Sequence, residues 1–254
     1  MKKILVALTL VLALSSMAFA AQTQISGKVT FNIDNVLASP LTTSNEYRLQ
    51  FDSTVSEKSG ARVRFDGDAV TPVGLSRAYW FTNTEIGKVV AGKQFEDFSM
   101  LSNNYAEENL AHGFTGVALY PNLGQQINAM GWYDIAGQKM GAQAKYTTDM
   151  ATIYGGVSKA ENETDAAMAI GAAVPVVKDR LTVYGQYDKK GDVDEKFIGA
   201  KATVGVDLAA EYKLDAKELS LNATKKLGDV EFSATYTRPE VGDGSLELAS
   251  TLYF

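Results

Sequence analysis

The chain predicts an all-β fold, a transmembrane antiparallel β-barrel of about sixteen strands. Three observations carry this. First, apolar and polar residues alternate with period two in short stretches that break at Gly, Asp or Asn, as in half-buried strands. Second, beyond residue 20 no apolar run reaches the roughly 18 residues a membrane helix needs, so a chain of this kind enters a membrane only as a closed barrel. Third, the polar faces are charged on many strands. A water-filled interior suits such faces better than the dense core of a soluble sandwich, the competing all-β reading.

Taken in order, residues 1–20 (MKKILVALTLVLALSSMAFA) read as a secretory signal peptide. Lys2 and Lys3 precede a short apolar run, and Ala18-Phe19-Ala20 is a small-x-small cleavage site. Residues 21–254 then form one domain, since no proline- or serine-rich linker divides them. Strands are predicted over 23–33, 45–55, 60–69, 74–83, 86–94, 112–120, 125–133, 138–147, 150–158, 165–174, 180–188, 195–203, 206–213, 218–226, 229–238 and 245–254. The count falls to fourteen or twelve if 195–213 is one irregular strand or if 165–177 hides a loop.

The alternation assigns faces. Arg62, Arg64, Asp66 and Asp68 share one side of 60–69, with Ala61, Val63 and Phe65 on the other. In 229–238 the apolar side is Val230, Phe232, Ala234 and Tyr236. The last strand puts Leu246, Leu248, Leu252 and Phe254 together. An even strand count keeps both chain ends on one side of a membrane. The last strand then pairs with the first, and Phe254 joins a lipid-facing belt. Trp80 and Trp132 are expected in strands as interfacial anchors. Residues 95–111, FEDFSMLSNNYAEENLA, form the longest stretch without alternation, a loop of the length that usually has a function.

The formal charge of -6 becomes -8 once Lys2 and Lys3 leave with the signal. This acidic balance gives no footing for a nucleic-acid partner. With no cysteine, an exported chain holds its fold without disulfides. A single histidine, His112, rules out a multi-histidine metal site, and no cofactor is expected. No Gly-x-Ser-x-Gly elbow is present, so an enzyme built on His112 is a minor rival and the expected function is not catalytic. A plugged structural or adhesive barrel is another rival.

The C-terminal strand ending in Phe254 resembles the assembly signal of bacterial outer-membrane barrels. The N-terminal third resembles the Gram-negative general porins. It has the Gly27-Lys28 pair in SGKVTFNID and the EYRLQFD element with Arg48. It also has SRAYWFTNTEIGKVVAGKQ, with Arg77, Ala78, Tyr79, Gly87, Val89, Gly92 and Lys93. The family's Pro-Glu-Phe-Gly-Gly loop element is missing, and FEDF is a faint echo of it.

The resemblance implies an outer-membrane channel for passive diffusion of small hydrophilic solutes and ions. It implies a homotrimer in outer-membrane lipid. It maps Lys28, Arg48 and Arg77 to a basic pore wall, to which alternation adds Arg62 and Arg64. It makes 95–111 an inward loop carrying acidic Glu96, Asp97, Glu107 and Glu108. The alternative is a monomeric channel specific for an acidic sugar or oligosaccharide. Weak ion selectivity is expected, because the net negative charge and the basic wall oppose each other.

Overall fold

The computed structural model describes residues 22–34, 36–37, 42–68, 71–94 and 113–254. The expected signal peptide and the 95–111 loop lie outside these residues, as does His112. Among the described residues there are sixteen strands and no helix. They are β1 (Gln22–Asp34), β2 (Thr42–Thr54), β3 (Ser59–Asp68), β4 (Gly74–Thr84), β5 (Gly87–Gln94), β6 (Phe114–Pro121), β7 (Ile127–Asp134) and β8 (Lys139–Thr147). The second half comprises β9 (Thr152–Ala160), β10 (Ala167–Val177), β11 (Leu181–Lys190), β12 (Val193–Thr203), β13 (Asp207–Lys213), β14 (Glu218–Leu227), β15 (Val230–Arg238) and β16 (Ser245–Tyr253).

Each strand pairs antiparallel with its sequence neighbours, and β16 returns to pair with β1, giving a closed barrel. Closure leaves no strand edge, so the ladder satisfies its own backbone groups all the way round. The seam is tied on both sides of the sheet. Inside, the hydroxyls of Thr30 and Thr251 hydrogen bond at 2.9 Å. At its end, Gly27 and Phe254 exchange two main-chain hydrogen bonds of 2.8 and 3.1 Å. The Phe254 ring lies where a side chain on residue 27 would stand, which is why a glycine fits there.

Short connections follow from turn chemistry. Gly228-Asp229 and Gly191-Asp192 each join two strands with two residues. Both glycines have positive φ, 61° and 60°, at the first central position, the pattern of a II′ hairpin turn. The segment 195–213 is therefore not one strand: β12 and β13 pair as a hairpin around 204–206. Residues 167–177 form β10, with a bulge between Pro175 and Val177 where proline cannot donate to the ladder. At the end that holds both termini, the longest connection is 122–126; at the opposite end it is 95–113.

The two faces of the sheet differ as the alternation requires. Outward side chains include Ile25, Val29, Leu49, Ile153, Ile170, Val183, Ile198, Leu221, Phe232, Leu248 and Leu252, all exposed. β10 shows the period plainly: Ala167, Ala169, Gly171 and Ala173 are buried inside, while Met168, Ile170, Ala172 and Val174 are exposed outside. Trp80 is on the outer face, in register with Ala61 and Ala91. Trp132 is not the outward anchor expected. It points inward, 6% exposed, stacked on Phe114 at 5.3 Å, with the Lys139 ammonium over its ring. Both faces of β7 are apolar enough to accept it, so only register, with Ala118 and Gly141 opposite, decides its direction.

Candidate functional site: the charged inner wall

Residues opposite one another across an antiparallel ladder share a face. Register therefore groups Lys28, Arg48, Asp66 and then Arg64 with Arg77 on the inner wall of β1–β4. The five basic residues expected to line a pore are together on this wall. Arg77 is opposite Arg64 in regular register, and a bulge just beyond them skips Ser76 and pairs Leu75 with Phe65.

They do not form a bare cationic ladder. Arg48 Nε donates to Asp66 Oδ1 at 2.8 Å, and Arg64 Nε stands 2.8 Å from Asp66 Oδ2, so one carboxylate serves two guanidiniums. Arg62 Nε donates to Asp52 Oδ1 at 2.5 Å, and Gln50 Nε2 donates to Asp52 Oδ2 at 2.6 Å. Lys28 Nζ is 3.8 Å from Glu46. The Arg62 guanidinium also lies 5.9 Å from the Tyr79 ring centre. These groups enclose an open recess of about 470 Å³, lined by Lys28, Glu46, Arg48, Arg64, Asp66 and Arg77 among others. Half-wet ion pairs of this kind are each worth about 1 kcal/mol or less. Their consequence is a fixed charge pattern rather than stability.

The acidic residues expected to face this wall, Glu96, Asp97, Glu107 and Glu108, lie outside the described residues. On either side of them, Gln94 is fully buried on the inner face of β5 and Phe114 is buried on the inner face of β6.

Sequence reading missed a second inner cluster, on β11–β13. Tyr184 donates its hydroxyl to Glu211 at 2.7 Å, Gln186 donates to Asp188 at 2.7 Å, and Lys213 bonds Glu195 at 2.5 Å. Lys201 lies over the Tyr184 ring and Lys213 over the Phe197 ring. The period-two series Tyr184, Gln186, Asp188 was visible in LTVYGQYDKK, though nothing local tied it to Glu211 two strands away. Also missed was an apolar inner patch of Phe114, Ala118, Met130, Trp132, Tyr154 and Ala169 on β6–β10. Among the described residues, no group of three or more His, Cys, Asp or Glu is placed to hold a metal.

No family model matches the chain, and no curated protein matches its sequence. Solved structures do match. A mutant of the Rh. blastica porin superposes with TM-score 0.75 at 14% identity, covering 92% of this chain and 100% of that one. A triple mutant of the Rhodopseudomonas blastica porin gives 0.74 at 15% identity, with the same coverage. A structure from work on asymmetric conductivity of engineered proteins gives 0.73 at 14%, again over 92% and 100%. The chain thus has the sixteen-stranded barrel fold of these porins.

Proposed function

We propose that this protein is an outer-membrane channel through which small hydrophilic solutes and ions diffuse passively. One observation carries the reading: a closed barrel turns an exposed apolar face outward and a charged, hydrogen-bonded face inward. Hydrocarbon accepts the first and water the second. Residues 1–20 serve as the export signal, and the barrel assembles as a homotrimer. Residues 95–111 fold into the lumen and bring Glu96, Asp97, Glu107 and Glu108 towards Lys28, Arg48, Arg62, Arg64 and Arg77. Opposite charges across the opening set up a transverse field that orders water and hinders apolar solutes. The protein performs no covalent chemistry.

A second reading, a monomeric channel for an acidic sugar, draws support from Lys88. Its ammonium lies 4.9 Å from the Phe81 ring centre and 5.5 Å from that of Tyr120, both rings half-buried and facing inward. A cation between two ring faces suits an anionic sugar.

Liposome swelling with neutral sugars of increasing size tests the first reading. The expected result is influx that declines steadily with solute size, and a higher size limit when 95–111 are deleted. Swelling confined to one acidic sugar would select the second reading. No swelling from inserted protein would overturn both.

A further inference from the structure

The inner carboxylates of β11–β13 have no part in the channel as described so far. Asp188 is 2% exposed. Its Oδ2 accepts from Gln186, while its buried Oδ1 has no hydrogen-bond partner among the described residues. Glu195 stands opposite it in register on β12, and Glu211, held by Tyr184, lies on the next strand. Lys213 bonds Glu195.

In the ring of sixteen strands, β11 is eight strands from β3 in either direction, so it stands on the side of the barrel opposite the strand that carries Arg62 and Arg64. On that side two arginines share the single carboxylate of Asp66. The arginine wall therefore has a cationic excess facing an anionic one.

We propose that Asp188 and Glu211 form an acidic pole built into the barrel wall, opposite the arginines, and that this pole makes cations the preferred ions. The proposal rests on the channel reading. It requires nothing of residues 95–111. Cations pass along the β11–β13 side and anions along the β2–β4 side. A carboxylate taken out of bulk water is less screened by salt than a charge at the rim, so its pull persists at moderate ionic strength.

Reversal potentials across a planar bilayer under a salt gradient test this, comparing wild type with Asp188→Asn, Glu211→Gln and Asp188→Glu. Each neutral variant is expected to lower the cation-to-anion permeability ratio about twofold, as one unit charge some 10 Å from the ion path would. Asp188→Glu is expected to retain the wild-type ratio. If Asp188→Asn does not refold, Glu211→Gln decides alone. Wild-type ratios in both neutral variants would overturn the proposal while leaving the channel standing. A silent wild type would overturn the channel reading and this proposal with it.

Discussion

Asp66 is the residue on which the inner wall of β1–β4 turns, because Arg48 and Arg64 both bond it. Replacing it with Asn leaves Arg64, itself largely buried, without its counter-charge. Asp66 is about one-third exposed, which tempers the loss. Asp66→Asn is expected to destabilise the barrel by about 1–2 kcal/mol in urea unfolding. It is also expected to move the reversal potential towards anion preference. A variant with unchanged stability and selectivity would show that the pairs are incidental. Gly199 offers a steric test. The Tyr184 ring occupies the space above it, while the Tyr184 hydroxyl holds Glu211. Gly199→Ala is expected to push that ring aside and cost about 1–3 kcal/mol in the same assay. Faces were legible at this scale, since alternation alone placed Arg62 and Arg64 on one side. Partners were not. Arg62 bonds Asp52 on the neighbouring strand, a choice made by register across a hairpin. Trp132 misled for the same reason, because its strand has two apolar faces and its stacking partner Phe114 is on another strand.

At the scale of elements, period two and turn residues sufficed to find all sixteen strands, with no end displaced by more than three residues. Besides 165–177, the β12–β13 hairpin was the doubtful case. Its turn, 204–206, lacks the Gly-Asp pair that marks 191–192 and 228–229, and Gly205 alone supplies a positive φ, 82°. Closure was legible from the apolar face that runs to Phe254. The structure adds the cause: the ring covers Gly27 on the outer face, and two main-chain hydrogen bonds end the seam. Deleting Phe254 removes both bonds, at about 1 kcal/mol each, together with the ring packing. The expected outcome is slower refolding into detergent micelles and a lower temperature for loss of the compact gel band. Identical refolding and heat resistance would mean that the seam does not depend on its last residue.

For the whole molecule, the outward apolar face and the inward charged face were both written in the alternation. The opposition of two charged walls was not, because β3 and β11 are brought across from each other only when the sheet closes. A barrel built this way keeps a net negative charge while carrying four of its six arginines on one wall. As a channel, the barrel must hold a continuous column of water. Single-channel recording of the refolded barrel, residues 21–254, in a planar bilayer over a range of salt concentrations tests that most directly. Discrete steps are expected, with conductance rising nearly in proportion to bulk salt and only modest ion preference. Electrical silence from protein shown to be folded and inserted would contradict this.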